Sequence, residues 1–390
     1  MKFKIYNNCT VCKKKILKKN KVKFDKFPIT EIFLNKPKSN KKTNFKQQLN
    51  YCNNCDHLSL GHHYEASNFY NDTYLNSSHS FSNLHSNKIF FDFIGKHIQN
   101  RKYKVVEFGA NDLNLAKNFL NKASIITAID PCVAEDNKFK RIRCIKKIAE
   151  NVKSHEIGYI PEIVLCSHTL EHVENPFNFL KHIFKNGDSN TKYFFQFPSC
   201  ESIIERRAFD QIHHQHLNLF SLNSITQILN KLGLCVIDYD KNEHHYGASM
   251  VYFKVKKDIK KQKFVKKKIN LSKKFNEYEA YMLNIINIIK GYKKKRNKIY
   301  AIGASLMTPI LNYQLKGVLD LTDNILDDDK RKFNKYFPNI KSKIKSLKRT
   351  NLTDAVVIIA STASSITTRK LISIVDNKKA KIIIVPTLSF

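Results

Sequence analysis

Short apolar runs alternate with helical patterns through the middle of the chain. The runs are rich in β-branched and aromatic residues, as buried parallel strands are, and they lie at 104–107, 124–130, 163–167 and 193–198. Two intervening segments, 82–99 and 176–184, repeat apolar residues at helical spacing. Two later runs, 233–239 and 250–256, suit a pair of closing strands. This alternation predicts an α/β fold with a doubly wound, Rossmann-like parallel sheet.

A second, shorter α/β pattern follows a run of charged residues. Residues 256–268 are rich in lysine, which indicates a solvated linker, and 271–292 carry an apolar stripe at helical spacing. Residues 298–313 then repeat a strand, a glycine turn and a helix, and 355–360 and 382–386 are further buried strands. We therefore predict four regions: an N-terminal module at 1–75, a core domain at 76–256, a basic linker and helix at 257–295, and a smaller α/β domain at 296–390.

The composition limits the partners that the charge suggests. An apolar content of 42% is that of a globular chain rather than a disordered one. The 390 residues include 68 lysines and arginines against 33 acidic residues, a formal net charge of +35, which by itself points to nucleic acid. However, lysine is abundant together with asparagine, isoleucine and phenylalanine, while tryptophan is absent, as a biased base composition produces. We therefore predict no nucleic-acid partner, and the basic surface favours a phosphorylated small-molecule substrate.

The chain shows no sign of a targeting or membrane segment. The first residues, MKFKIYNNC, lack the apolar core of a signal peptide. No run of about 18 apolar residues is present, so we predict no membrane insertion. We expect a cytoplasmic protein that is a monomer or a small homo-oligomer.

Two pairs of closely spaced cysteines mark the N-terminal module. Cys9 and Cys12 form one C-x-x-C pair, and Cys52 and Cys55 form the other. The two-residue gap lets both sulfurs of a pair reach one tetrahedral ion, and in an intracellular chain such pairs indicate a metal rather than a disulfide. The sequence predicts a structural zinc ion with a complete shell of four thiolates, which leaves no open position for chemistry.

The first strand of the core domain leads into a loop suited to a nucleoside. Glu107 closes the strand, Gly109 allows a tight turn, and Asn111 and Asp112 offer polar groups above the edge where open α/β sheets bind ligands. Asp130 ends the next strand, and a carboxylate at that spacing accepts hydrogen bonds from two ribose hydroxyls. The loop is too poor in glycine for a pyrophosphate. S-Adenosylmethionine (SAM), which has no phosphate, is therefore predicted in preference to NAD.

A histidine cluster follows the last parallel strand. His213, His214 and His216 lie within four residues, and an imidazole at the mouth of the sheet suits a general base, because it titrates near working pH. A metal site is a rival interpretation, but no nearby run of carboxylates or cysteines completes it; a satisfied surface cluster is the other. Ser167 and His168, which end the third strand, are expected to add to the cofactor contacts.

Hydroxyl groups are concentrated between the N-terminal module and the core domain. The segment 69–80, FYNDTYLNSSHS, includes Tyr74, Ser77 and Ser78. Such hydroxyls suit a pocket for a polyhydroxylated ligand, and an ordinary polar turn is the alternative.

Taken in order, the cysteine pairs, the cofactor strand and the C-terminal α/β domain resemble the sugar C-methyltransferase family over roughly residues 9–390. The resemblance implies a zinc-binding N-terminal part, a class I methyltransferase core that binds SAM, and methylation of a carbon of a nucleotide-activated keto-deoxy-sugar. In the cofactor loop, Leu113 stands where the family usually has glycine. The similar segments are VVEFGAND at 105–112, AID at 128–130, LEHVENP at 170–176 and NSSHS at 76–80.

The departures from the family's pattern lie mainly on the substrate side. The family's Tyr-His-Glu-His is His-His-Gln-His here, at 213–216. Its His-Gly-Gly-Ser is Tyr246-Gly247-Ala248-Ser249, of which Tyr246, Gly247 and Ser249 are expected to contact the substrate. We expect His216 to be the base, and His213 or His214, when protonated, to stabilise an enolate. The changed positions suggest a changed acceptor.

Two alternatives remain open at this stage. A SAM-dependent O-methyltransferase acting on a sugar or another phosphorylated small molecule needs one base and no enolate. A non-catalytic or RNA-binding protein on the same scaffold would keep the zinc module and the sheet without the reaction.

Overall fold

A computed structural model describes residues 3–30, 32–37, 44–64, 81–133, 139–255, 269–361 and 365–386. The strands within these ranges form four sheets. The N-terminal elements are β1 (Phe3–Ile5), β2 (Lys21–Pro28), β3 (Asn44–Cys52), β4 (His57–Leu60) and β5 (His62–Tyr64). The elements that follow are α1 (Phe81–Gly95), β6 (Tyr103–Phe108), α2 (Asn114–Asn118), β7 (Ala123–Ile129), β8 (Ile142–Ile145), α3 (Ser154–Ile157), β9 (Ile163–Ser167), α4 (Pro176–Phe184), β10 (Lys192–Phe197), α5 (Cys200–Glu205), β11 (Asn218–Leu219), α6 (Leu222–Lys231), β12 (Leu234–Asn242) and β13 (Ala248–Val255).

The largest sheet has seven strands with β6 near its centre. Its order is β12-β13-β10-β9-β6-β7-β8. The strands from β6 to β10 pair in parallel, whereas β13 runs antiparallel to both β10 and β12. The predicted α/β sheet is therefore present, but it is mixed rather than wholly parallel, because β12 and β13 form a hairpin. The strand order reverses between β6 and β9, which is where open α/β sheets hold their ligands.

Local sequence explains the sharpest element boundaries. The strand β9 is an unbroken apolar run whose first four residues are buried, as a central parallel strand requires. The helix α4 begins at Pro176, whose fixed φ suits a first helical position, and the side chain of Asn175 caps it by accepting the backbone N–H of Asn178 at 3.2 Å.

The N-terminal sheet takes one strand from the core domain. Its order is β11-β4-β3-β2, all antiparallel, and β1 pairs separately with β5. The predicted boundary between residues 75 and 76 lies outside the described residues, but β11 shows that the two regions share a sheet. The three predicted boundaries between the four regions stay predictions.

The C-terminal region forms a five-stranded parallel sheet. Its order is β16-β15-β14-β17-β18. Phe24 of β2 packs against Phe275 at 5.4 Å and Tyr313 at 6.3 Å between ring centroids, so the N-terminal sheet and this region share one hydrophobic core. The elements are α7 (Leu271–Lys294), β14 (Ile299–Ile302), α8 (Thr308–Gln314), β15 (Asn324–Asp327), β16 (Ile344–Ser346), β17 (Val356–Ile359), α9 (Ser365–Asn377) and β18 (Ile382–Ile384).

Of the helices in the described part of the chain, none combines the length and the apolar character that crossing a membrane requires.

Candidate active site

The four cysteines of the N-terminal module lie together. The Sγ atoms of Cys9 and Cys55 are 3.5 Å apart, and those of Cys12 and Cys52 are 3.4 Å apart. All four sulfurs lie within 4.8 Å of one another. Sulfurs bound to one tetrahedral zinc ion at 2.3 Å would be about 3.8 Å apart, so the donor type, number and spacing fit zinc.

Hydrogen bonds join this cysteine cluster to the segment that follows the histidines. The hydroxyl of Thr10 donates to Oδ1 of Asn218 at 2.7 Å, and Nε2 of the buried His57 lies 3.1 Å from the same oxygen. The hydroxyl of Ser221 donates to the carbonyl of Cys55 at 3.2 Å. The cluster therefore holds the chain immediately after the histidine segment in place.

The residues predicted to hold a cofactor meet at the carboxyl ends of β6 and β7. The backbone N–H of Gly109 donates to the carbonyl of Ile129 at 2.8 Å, which ties the first loop to the end of β7. Asp130 accepts the backbone N–H of Cys132 at 2.7 Å and that of Asn111. Glu107 and Asp112 lie close enough to interact electrostatically.

This loop is rich in carboxyl groups. Burial raises the pKa of Glu107 well above its usual range, and the nearby charges of Asp112 and Asp130 raise it further. Burial also raises the pKa of Asp130. Among the described residues, Oε2 of Glu107 is buried with no hydrogen-bond partner. The site thus suits a ligand with hydroxyl and ammonium groups and disfavours a phosphate.

Backbone strain accounts for the glycine that is usual at position 113. Leu113 adopts the left-handed conformation, with φ 65° and ψ 16°, which costs a non-glycine residue about 1–2 kcal/mol. Its side chain is only 2% exposed and lies in the apolar cluster beneath the loop. Burial of a leucine contributes about 1.5–3 kcal/mol, which offsets the strain.

Ser167 and His168 lie in a buried polar network at the ends of β9 and β10. Nδ1 of His168 donates to Oε1 of Glu171 at 3.1 Å, and its Nε2 accepts from the side-chain amide of Gln196 at 3.1 Å. The same amide lies 3.2 Å from the hydroxyl of Ser167. Burial lowers the pKa of His168 to about 4, so the imidazole is neutral at neutral pH. Sequence reasoning missed Gln196 and Glu171.

The three predicted catalytic histidines are neutral in this fold. His213 and His214 are buried, His216 is partly buried, and the rings of His213 and His216 are 3.8 Å apart between centroids. Burial lowers the pKa of His214 to about 3 and holds the pKa of His213 and His216 well below the usual range, with neighbouring imidazoles adding to the effect. A neutral imidazole accepts a proton, so the expected base is in its competent form. The protonated form expected of His213 or His214 is not the form that the fold favours.

Glu171 and His172, neither of which was predicted as a site residue from the sequence, lie beside His216. His172 donates through Nδ1 to the carbonyl of Gln215 at 3.0 Å, and its ring lies 5.2 Å from that of His216. Glu171 is fully buried, and burial raises its pKa to about 7. Both precede α4, more than 40 positions before the histidine cluster. The sequence feature that could have identified them is an acidic residue next to a histidine shortly after a predicted strand.

The predicted substrate residues are only partly placed. Tyr74, Ser77 and Ser78 lie outside the described residues. Tyr246 and Gly247 form the left-handed turn between β12 and β13, with φ 56° and 66°. The side chain of Tyr246 contacts Gln211, beside the histidine segment, whereas Ser249 is buried with its hydroxyl 3.5 Å from that of Tyr239.

A family model described as a methyltransferase domain matches residues 84–239. This span runs from α1 through β6 to β12 and contains both the acidic loop and the histidine cluster. Residues 84–239 are therefore similar to a methyltransferase domain. The prediction of an enzyme with a methyltransferase core is therefore confirmed.

Individual relatives of known name are distant. C-methyltransferase NovU of Streptomyces niveus is 23% identical over 155 residues, which are 38% of this chain and 36% of that protein. The chain thus spans about a third of the length of this curated relative. Two solved structures are also found to be similar over part of the chain. One is 1,6-didemethyltoxoflavin-N1-methyltransferase of Burkholderia thailandensis, with 13% identity, a TM-score of 0.35, and coverage of 46% of this chain and 80% of that chain. The other is magnesium protoporphyrin IX methyltransferase of Synechocystis, with 9% identity, a TM-score of 0.35, and coverage of 45% of this chain and 84% of that chain. Similarities this distant say nothing about what this chain binds.

Proposed function

We propose that this protein is a SAM-dependent methyltransferase that methylates a carbon of a nucleotide-activated keto-deoxy-sugar. The observation that supports it most directly is the acidic loop at the ends of β6 and β7, inside a segment that matches a methyltransferase domain. The same match opposes a non-catalytic interpretation. The name of the distant relative, a C-methyltransferase, favours carbon over oxygen as the acceptor.

The residues of the acidic loop fit the polar groups of SAM. Asp130 would accept the two ribose hydroxyls, since its carboxylate stands at the end of β7. Asp112 supplies negative charge for the ammonium group and Glu107 supplies carboxyl oxygens, of which Oε2 still lacks a partner among the described residues. Asn111, Ser167 and His168 would supply further polar groups around the cofactor. When bound, SAM supplies an electrophilic methyl group on sulfur.

We propose that His216 is the general base for the acceptor. A carbon beside a ketone must lose a proton before it can form a bond to the methyl group. The neutral ring of His216 takes this proton on nitrogen, and the electron pair of the C–H bond passes to the ketone oxygen as an enolate. The neutral His213 can donate an N–H to that oxygen, which replaces the charged group expected from the sequence.

The four cysteines would hold a structural zinc ion in this scheme. A closed shell of four thiolates takes no part in the reaction. Its contribution would be to position the chain through Thr10, Asn218 and Ser221, which link the cysteine cluster to the end of the histidine segment.

The test is proton exchange at the acceptor carbon, followed by location of the transferred methyl group. The full-length protein is incubated without SAM in D2O with a panel of nucleotide-linked keto-deoxy-sugars, and NMR follows loss of the carbon-bound proton. We expect exchange by the wild type, and methylation at the same carbon once SAM is added. His216→Asn should lower both rates by about 10²–10⁴, the usual effect of losing a general base, while His155→Asn, at an exposed histidine on α3, should lower neither.

Two outcomes would contradict parts of this proposal. Methylation of oxygen without any carbon exchange would mean that the acceptor is a hydroxyl, which a single base can activate. Normal exchange by His216→Asn would assign the base to another residue, and a lost exchange in His213→Asn or His214→Asn would identify it. Absence of SAM binding to folded protein would reject the proposal as a whole.

A further inference from the structure

We infer that Glu171, His172 and His216 form a binding site for a divalent transition-metal ion, separate from the four cysteines. The sequence alone left such a site incomplete, because no run of carboxylates or cysteines lies near the histidine cluster along the chain. The fold supplies the carboxylate from the loop after β9. This inference does not depend on methyl transfer, but a bound ion would exclude His216 as the general base proposed above.

The three side chains converge closely enough to share one ion. Each offers one donor atom, and these atoms lie within 4.8 Å of one another. Donors bound to a tetrahedral ion at about 2.1 Å are about 3.4 Å apart. The side chains would therefore have to close by about 1.4 Å at most, which small rotations of long side chains allow.

Hydrogen bonds to neighbouring groups already orient the donor atoms. His172 uses Nδ1 to donate to the carbonyl of Gln215, so its Nε2 carries the free lone pair. Glu171 uses Oε1 to accept from Nδ1 of His168. Metal-binding histidines in proteins commonly donate their second N–H to a backbone carbonyl in this way, and metal-binding carboxylates are themselves hydrogen-bonded.

The remaining donor atoms are buried without partners. Within the described residues, Oε2 of Glu171 makes no hydrogen bond although its side chain is fully buried, and Nδ1 of His216 makes none either. A buried polar atom without a partner costs about 1–3 kcal/mol. A metal ion in the space that these groups share would bind Oε2 of Glu171 and so supply its missing interaction. The ion could bind either ring nitrogen of His216, and the proton would then lie on the other nitrogen.

The donor set distinguishes this site from the cysteine cluster. Four thiolates form a soft, closed site, whereas two imidazoles and one carboxylate suit first-row divalent ions and leave coordination positions open. An oxygen of the acceptor could occupy such a position. An ion on His216 would also take the lone pair that a base requires, so the neighbouring His213 would then be the imidazole available to accept a proton.

Metal titration of the full-length protein tests this inference without any measurement of activity. Protein loaded with one equivalent of zinc per chain, which the four thiolates bind first, is titrated with Co²⁺, and metal content is measured after dialysis. We expect about two metal ions per chain in the wild type, and the added cobalt should show no thiolate-to-cobalt charge-transfer band. Glu171→Gln and His172→Asn should lose the cobalt and keep the zinc. His155→Asn, at an exposed histidine, is the matched control and should keep both.

A further variant distinguishes the metal ligands from a residue that only hydrogen-bonds to a ligand. His168→Asn removes an imidazole that contacts Glu171 without being a ligand, and should weaken cobalt binding by about 10–100-fold. Retention of the cobalt at full affinity in Glu171→Gln or His172→Asn would overturn the inference. So would a folded, zinc-loaded wild-type protein that binds no cobalt, a result that requires no variant to fold. A methyltransferase that binds no second ion would leave the proposed function standing.

Discussion

Replacing Gly109 by alanine should destabilise the core domain by about 2–5 kcal/mol. Gly109 has a φ of +81°, in the left-handed region, where a Cβ atom costs about 1–2 kcal/mol. The new Cβ would also lie 1.8 Å from Oγ1 of Thr169 and 2.8 Å from its Cβ and Cγ2. Overpacking of this kind costs about 1–3 kcal/mol. Thr169 cannot turn away freely, because its hydroxyl donates to the carbonyls of Ser167 at 3.2 Å and Phe108 at 3.4 Å.

Chemical denaturation with a double-mutant cycle separates the two contributions. Thr169→Gly removes the obstructing side chain, so the double variant should regain the steric part of the loss, about 1–3 kcal/mol, but not the backbone strain. Gly291→Ala is a matched control, since its Cβ would meet nothing within 4 Å in the last turn of α7. It should stabilise the protein by up to about 1 kcal/mol. Effects of Gly109→Ala and Thr169→Gly that add within about 0.5 kcal/mol would refute the steric explanation.

Two further predictions concern the zinc ion and the cofactor. Cys52→Ser should lower both the zinc content, from about one ion per chain, and the melting temperature, because metal binding contributes to folding. Cys132→Ser, at an exposed cysteine outside the cluster, is the control and should change neither. Folded wild-type protein that contains no zinc would contradict the prediction of a zinc site. Asp130→Ala should weaken SAM binding by about 1–3 kcal/mol in calorimetry, since ribose hydroxyls lose their acceptor, and Asp92→Ala, at an exposed aspartate on α1, is the control. Unchanged affinity in Asp130→Ala would place the cofactor elsewhere.

The periodicity of the chain predicted the main elements closely. The strand expected at 163–167 is observed at Ile163–Ser167, and the helix expected at 176–184 is observed at Pro176–Phe184. Such elements follow from local patterns, because a continuous apolar run suits a buried strand and a helical repeat suits one buried face. The two C-x-x-C pairs could be predicted to bind a metal ion for the same reason, since the local spacing within each pair determines whether both of its sulfurs can reach one ion.

Contacts between distant segments were beyond the reach of these patterns. No local signal places β11 in the N-terminal sheet or sets the direction of β13, since pairing depends on how the whole chain packs. From the sequence, Leu113 was recognised only as a leucine at a position where the similar family usually has glycine. The structure shows that this position has a φ of 65°, which strains a non-glycine residue.

The amino-acid sequence specifies which chemical groups are available: four cysteine thiols, an acidic loop after β6 and a cluster of histidines. The partners and the charge of these groups depend on the tertiary structure. Glu171 and His172 meet His216 across more than 40 positions because the loop after β9 packs against the histidine segment. Burial there, which no residue pattern reports, keeps the imidazoles neutral, because removing a cation from water costs more than its neighbours return.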